Sequence, residues 1–224
     1  MSSIPDLTVA ATGGLVAGLT LAALPLWRLH RALRTARYQA GHDDTTGLPN
    51  RRTLLTAVQH AVAAGRPFGV ILLDLDGFKA VNDTHGHETG NDLLTAVAHR
   101  LHAVPAPAVL AARLSGDEFA VLAHGGPDEI RAAAHAAADA VGAAPVVLDD
   151  GVTIAVRASV GYTTSRLGIT ARVLLQEADE AMYQAKTRPS GPHRHQPAAP
   201  GAGAVATTGG VPPAASRRCR DRRR

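Results

Sequence analysis

The chain has 224 residues, 46% of them hydrophobic but only 3% aromatic, so any core must be built from Ala, Val and Leu. Its one cysteine, Cys219, excludes an intrachain disulfide framework and fits a reducing compartment. The formal charge of +4 comes from two arginine blocks, Arg28, Arg31, Arg34 and Arg37 near one end and Arg217, Arg218, Arg220, Arg222, Arg223 and Arg224 at the other. The remainder is mildly acidic, which argues against a domain that binds nucleic acid specifically.

Leu7 to Trp27 carries no charged residue. About 21 residues at 1.5 Å each span roughly 31 Å, the thickness of a bilayer's hydrocarbon core. Gly13, Gly14 and Gly18 are tolerated in membrane helices, and Trp27 suits an interface. The arginine block that follows sets the C-terminal side as cytoplasmic. The expectation is one uncleaved, single-pass helix in the inner (cytoplasmic) membrane over 7–27, after a short outer segment over 1–6. A cleaved signal peptide fits less well, because no basic region precedes the apolar run. A buried helix of a soluble domain is the bland alternative. Residues 28–42 read as a basic linker whose arginines could hold anionic headgroups at about 1 kcal/mol each.

From Asp43 onward helical and extended patterns alternate. Arg51–Ala64 is helical, with Leu54, Leu55, Val58 and Val62 at helical spacing. Phe68–Asp74 reads as a buried strand ending in acid. Glu88–Leu101 is helical, with Leu93, Leu94, Val97 and Leu101 on one face. Val109–Leu114 and Phe119–Leu122 read as strands around a tight polar turn. An Ala-rich helix over Asp128–Val141 and an alternating strand over Thr153–Tyr162 follow. A last helix spans Val173–Lys186, with Leu174, Ala178, Ala181, Met182 and Ala185 inward. A helix, then βαββαβ, then a helix predicts an α/β domain (an α+β sandwich) over 43–192 with a split βαβ, ferredoxin-like core. Residues 193–224, rich in Pro, Ala, Gly and Arg, have no apolar period and are expected to be a disordered tail.

The chemistry lies in the acids. Asp74-Leu75-Asp76 closes the first strand, at the edge where ligands often meet α/β sheets. Asp117-Glu118 sits in the turn between two later strands. Either pair alone is most simply a solvated strand end. If the strands are neighbours, four carboxylates converge, and such a cluster calls for a cation. Oxygen-only ligands point to Mg²⁺ or Mn²⁺ rather than zinc, and two such ions could clamp a phosphoryl-transfer centre. Gly116 beside them lets backbone approach a phosphate closely. His85 and His87 have H-x-H spacing, but no cysteine or third histidine is near, so a zinc site is not expected.

These residues fall into motifs that resemble those of GGDEF domains along nearly the whole domain. Asp43-Asp44-Thr45-Thr46-Gly47-Leu48-Pro49-Asn50-Arg51-Arg52 resembles the opening D-x-L-T-G-L-x-N-R-R. Asp74-Leu75-Asp76-Gly77-Phe78-Lys79 resembles D-x-D-x-F-K, and Asn82-Asp83-Thr84-His85-Gly86-His87 resembles N-D-x-x-G-H. Arg113-Leu114-Ser115-Gly116-Asp117-Glu118-Phe119 resembles R-x-G-G-D-E-F. Ala178-Asp179-Glu180-Ala181-Met182-Tyr183-Gln184-Ala185-Lys186 resembles the closing A-D-x-A-M-Y-x-A-K. Several motifs in order are far more specific than any one.

The resemblance implies a palm-type fold of the nucleotidyl cyclase kind and a diguanylate cyclase activity. Two GTP molecules join into cyclic di-GMP with release of two pyrophosphates, and each protomer of a homodimer holds one GTP. Carried over, Asp74 and Asp117 ligate two Mg²⁺ or Mn²⁺ ions per site by side chain and Leu75 by its carbonyl. Glu118 assists metal binding or deprotonation of the 3′-hydroxyl. Asn82 binds the guanine. Phe78 and Lys79 border the phosphates, Ser115 and Gly116 line their approach, and Lys186 neutralises the triphosphate. Lys79 and Lys186 are the only lysines in a chain that otherwise uses Arg. His87 matches a position packed structurally in the family.

The sequence departs from the family at four places. Ser115 replaces the first glycine of the signature. Asn91 stands where the family has an aspartate that accepts from guanine, a loss worth about 1.5–3 kcal/mol. The family's inhibitory R-x-x-D site has no counterpart in Pro105–Val109, so no product inhibition through it is expected. After Lys186, Thr187–Pro192 replaces the usual G-R-N segment and last strand, and Pro189 and Pro192 argue against a regular strand. Arg188 is a candidate to replace a phosphate-binding arginine. The alternative function is a catalytically weak or inactive module that binds GTP or a partner. No sensory domain fits between the expected membrane helix and Asp43, so input would come through that helix, its dimerisation or an unidentified sensory partner. Gly14 and Gly18 form a small-xxx-small pair that can associate helices.

Overall fold

Helix α1 (Arg51–Ala64) has both of its ends written in the sequence. Asn50 accepts from the Thr53 N–H at the N-terminus, and Gly65 closes the C-terminus in the left-handed region at φ 66°. The computed structural model describes residues 27–36, 38–147, 151–188 and 191–195. Residues 27–36 and 38–41 are helical and lead into the domain. The predicted membrane span lies outside the described residues except for Trp27, as does most of the basic tail. Among the described residues no helix is long and apolar enough to cross a membrane.

After α1 come β1 (Phe68–Leu75), α2 (Phe78–His102), β2 (Ala108–Ser115), β3 (Glu118–His124) and α3 (Pro127–Gly142). Short strands β4 (Val146–Val147) and β5 (Thr153–Ile154) pair with each other. β6 (Ala158–Thr164), α4 (Ala171–Thr187) and β7 (His193–Arg194) complete the domain. The main sheet has the order β2-β3-β1-β6-β7. β1 runs antiparallel to both β3 and β6, and β7 adds a parallel edge to β6. This is the predicted βαββαβ core with its central strand the most apolar one: all of β1 is buried.

Side chains alternate across β1 and so supply two cores. Ile71, Leu73 and Leu75 pack with Leu93, Val97, Ile130 and Ala134 under α2 and α3. Phe68, Val70 and Leu72 pack with Leu54, Val58, Leu174 and Met182 under α1 and α4. Asp74 continues this second row, and that is why its carboxylate meets α4. The approach of α4 depends on Gly161 in β6, where a Cβ would lie 2.0 Å from the Met182 nitrogen and 2.5 Å from the Ala178 oxygen. Only a hydrogen fits between that strand and the helix. Glu177, buried in α4, accepts from Thr163 of β6 and pairs with Arg166, which holds its carboxyl below the ordinary value.

Three predicted elements differ. α2 begins ten residues earlier than its apolar spacing suggests, at Phe78 after Gly77, and is kinked at Gly86, whose φ of 86° and ψ of 166° are not helical. The single strand expected over Thr153–Tyr162 is two, β5 and β6, separated by a turn whose Arg157 carbonyl accepts from the Asp76 N–H. β7 lies in the stretch whose composition predicts a tail: His193–Arg194 pair in parallel with Gly161–Tyr162 of β6, and the His195 N–H donates to the Tyr162 carbonyl.

Candidate active site

Asp74 faces Glu118 across the β1–β3 ladder, and the Leu75 N–H donates to the Asp117 carbonyl at 3.2 Å. Sheet register therefore brings the end of β1 and the signature turn together, as the motifs predict. Lys186, in the last turn of α4, completes the edge: its Nζ lies 2.8 Å from Asp74 Oδ2. Burial, followed by the charge of Asp74, pushes the Asp117 carboxyl above its ordinary value. Burial pulls Lys186 down, but its bond to Asp74 and the fields of Asp74, Asp117 and Glu118 outweigh that and hold it above the ordinary lysine value. Two acids whose charges oppose each other, beside a cation, are set to bind a hard, positively charged group.

Asp76 does not join them. Its Oδ1 accepts from Ser159 Oγ at 2.7 Å, and it lines a separate cavity with His135, Asp139 and Arg157. The expected four-acid cluster is thus corrected to Asp74, Asp117 and Glu118. Among the described residues no group of three or more His, Cys, Asp or Glu is placed to hold a metal ion. The side-chain donors at the edge are Asp74 and Asp117, to which the family resemblance adds the Leu75 carbonyl. This all-oxygen set fits a hard divalent cation that also takes ligands from phosphate. His85 and His87 are both exposed, which corrects the expectation that His87 is packed.

The turn itself is held from two sides. Gly116 adopts φ 47°, in the left-handed region. Arg113 donates to the Gly116 carbonyl through Nε at 3.0 Å and Nη2 at 2.8 Å, while its Nη1 lies 2.8 Å from Asp43 Oδ1. Asp43 also accepts from the Thr46 N–H and hydroxyl. Burial raises the Asp43 carboxyl, but the Arg113 and Thr46 bonds dominate and leave it below the ordinary value. The motifs contain both residues, but their partnership spans 70 positions, and no local spacing reveals it. On the other side, Ser115 Oγ donates to Glu118 Oε2 at 2.8 Å.

The residues predicted to bind the base lie on α2. Asn82 is half-buried against Gly90: a Cβ there would stand 2.0 Å from Asn82 Oδ1 and 3.2 Å from the Phe78 ring. Gly90 is therefore the space that Asn82 and Phe78 occupy. Lys79 is exposed in the first turn, and Asn91 is exposed beyond the Gly86 kink.

Fold and site together define a mixed α/β domain of the GGDEF type. The chain belongs to the GGDEF family: the family described as diguanylate cyclase, GGDEF domain, matches residues 40–191. An uncharacterised signalling protein of Caulobacter vibrioides is 42% identical over 186 residues, which cover 79% of this chain and 23% of that protein. Diguanylate cyclase TpbB of Pseudomonas aeruginosa is 35% identical over 175 residues, 75% of this chain and 40% of TpbB. The chain thus spans less than half the length of either relative. The coiled coil and GGDEF domain of DgcB from Caulobacter crescentus, solved with c-di-GMP, superposes with a TM-score of 0.71 at 25% identity, over 80% of this chain and 98% of that one. The GGDEF domain of TpbB gives a TM-score of 0.62 at 33% identity, over 69% and 94%.

Proposed function

We propose that this chain is a diguanylate cyclase, condensing two GTP molecules into cyclic di-GMP and two pyrophosphates where two protomers meet. The observation that carries this reading is the Lys186–Asp74 ion pair beside Asp117, a cation and two acids gathered at one sheet edge. Each 3′-hydroxyl oxygen bonds to the α-phosphorus of the other GTP, the bond from that phosphorus to the β-phosphate bridge breaks, and pyrophosphate leaves. Two divalent ions, Mg²⁺ or Mn²⁺, supply charge neutralisation and acidify the hydroxyl when bound.

The chain's own residues do the rest. Asp74, Asp117 and the Leu75 carbonyl hold the ions. Glu118 stands at the same edge to complete that site or to take the 3′-hydroxyl proton. Lys186, cationic over the whole neutral range, binds triphosphate oxygens, and Lys79 adds charge from the first turn of α2. Phe78 borders the phosphates, and the backbone at Gly116 permits their close approach. Asn82 and Asn91 bind the guanine edge. Each protomer offers half a site, so tethering through residues 7–27 to the inner membrane would raise the local concentration of partners.

The full chain, incubated with GTP and Mg²⁺ and assayed for cyclic di-GMP beside an Asp117→Ala control, tests this. Product from the wild type alone is the expected outcome. GTP binding without product at high protein concentration would favour the second reading, a regulatory GTP-binding module, which Asn91 supports. Membrane fractionation of the full chain against a chain lacking residues 1–27 tests the tether: only the former should sediment with the membrane.

A further inference from the structure

Asp74 is the one buried acid at the sheet edge, whereas Asp117 and Glu118 are half-buried. Its carboxylate is already engaged: Lys186 Nζ lies 2.8 Å from Oδ2. A cation that approaches Asp74 therefore meets an acid that this chain itself neutralises. An ammonium and a divalent ion repel each other and draw on the same oxygen, so each opposes the other at this carboxylate.

Of the two partners, the lysine is the one that can leave. Only 12% of the Asp74 side chain is exposed, against 42% of Lys186. The helix beneath the lysine is fixed, because Met182 and Ala185 are buried and α4 is pressed against Gly161. The four-carbon stem can swing while that backbone stays. It has space to do so in the cavity of about 410 Å³ that it lines with Glu118 and Glu180. A triphosphate offers the ammonium several charged oxygens in place of one.

We propose that Lys186 is a displaceable stand-in for metal at Asp74: it competes with the divalent ion for that carboxylate until triphosphate oxygens take it, so that metal and nucleotide enter the site cooperatively. This exchange rests on the metal and phosphate roles proposed above, and it makes metal affinity depend on what Lys186 holds.

The first test reads metal occupancy rather than turnover. The full chain is titrated with Mn²⁺ without nucleotide, and free Mn²⁺ is followed by electron paramagnetic resonance. Lys186→Met is expected to tighten Mn²⁺ binding roughly three- to tenfold, the scale of removing one partly exposed, charge-assisted competitor. Lys79→Met, which removes the other lysine and leaves Asp74 paired, should stay within about twofold. The second test follows the ammonium itself. Lys79 and Lys186 are the only lysines, so the full chain in detergent, labelled with ¹³C at lysine Cε, gives two side-chain NMR signals, and Lys79→Arg assigns them. Mg²⁺ alone, at concentrations that displace bound Mn²⁺, should move the Lys186 signal toward that of an unpaired lysine and leave Lys79 in place. 3′-Deoxy-GTP with a chelator should also move Lys186. Mn²⁺ affinity in Lys186→Met equal to or weaker than wild type would overturn the exchange, as would a Lys186 signal unmoved by either ligand. Equal tightening in Lys79→Met would assign the effect to net charge and overturn it too. Saturable Mn²⁺ binding in neither wild type nor Lys186→Met overturns it together with the proposed metal site. A chain that shows the expected series yet makes no cyclic di-GMP supports the exchange while refuting turnover.

Discussion

The two ends of the proposed nucleotide site are built differently. At the phosphate end Asp74, Lys186 and the signature turn are each held by something rigid. Asp74 is buried on the central strand, Lys186 is carried by a helix pressed against Gly161, and the turn is braced by Arg113. At the base end, Asn82 wedges against Gly90 in the first half of α2, whereas Asn91 stands exposed after the kink at Gly86. The difference teaches where substitutions should matter. Sheet register preorganises the phosphate end, so its residues act through position. The base end relies on the chemistry of single exposed side chains.

The sharpest way to break the comparison is at the phosphate end. Asp117→Ala removes one of the proposed metal-binding carboxylates and leaves Asp74 paired with Lys186 alone. Cyclic di-GMP formation should fall by at least about 100-fold, on the scale of removing a group that stabilises transition-state charge. Mn²⁺ binding should fall with it. A residual rate within tenfold of the wild type would mean that the acidic edge is not where the chemistry occurs.

Next in size is the base end. Asn91 offers one carbonyl acceptor and an amide donor where a guanine edge presents two donors. Asn91→Asp should therefore tighten GTP binding by about 1.5–3 kcal/mol, roughly 10- to 100-fold, as a charge-assisted pair replaces a neutral one. Calorimetry with GTP and with ATP checks both affinity and selectivity, and the gain should be confined to GTP. Equal GTP affinity in both forms would place the base elsewhere.

How much of this the sequence discloses follows the same division. Short-range signals are legible: Asn50 and Gly65 mark both ends of α1, and the apolar run before Asp74 marks the buried strand. The acidic edge is legible because two motifs end and begin on neighbouring strands. The start of α2 is not, since Lys79, Asn82, Asp83, Thr84 and His85 show no apolar period and the first turn is set by Gly77. Nor is β7, whose two residues become a strand only by pairing with β6. The bracket from Asp43 through Arg113 to Gly116 is equally hidden: each residue sits in a visible motif, but the contact between them is tertiary.

That bracket provides the next prediction. Arg113→Gln removes a largely buried guanidinium that satisfies Asp43 and Gly116 together, so stability to denaturant should fall by about 1–3 kcal/mol. Asp43 has a folded pKa below its unfolded value of about 3.8. Its contribution is therefore present above pH 4 and is lost as pH falls through the lower folded value. The stability gap between wild type and Arg113→Gln should be constant from pH 5 to 7 and shrink below pH 4. A gap that persists in acid would mean that the guanidinium acts through Gly116 alone.

Proton competition at Asp117 should be gentler. Because burial and Asp74 raise its carboxyl, the proton is held above pH 3.8 and must leave before a cation binds. Apparent Mn²⁺ affinity should weaken on acidification at a higher pH than for an ordinary aspartate, and Asp74→Asn, which removes the second cause of the shift, should move that midpoint down. An unmoved midpoint would assign the shift to burial alone.

The smallest expected effect tests the other acid of the first motif. Asp76 is one residue from Leu75, whose carbonyl is a proposed metal ligand, yet its carboxylate is turned to Ser159 and its backbone N–H to Arg157. It therefore braces the start of β6 against the end of β1. Asp76→Ala should cost about 1 kcal/mol or less of stability, since the carboxylate is exposed and only the mostly buried hydroxyl of Ser159 loses a partner. Ser159→Ala should cost a similar amount, and the double variant little more than either, because both remove one shared bond. Mn²⁺ affinity should stay within about twofold in all three. A tenfold loss in Asp76→Ala alone would return this carboxylate to the proposed metal site, and the phosphate end would then depend on an exposed side chain as the base end does.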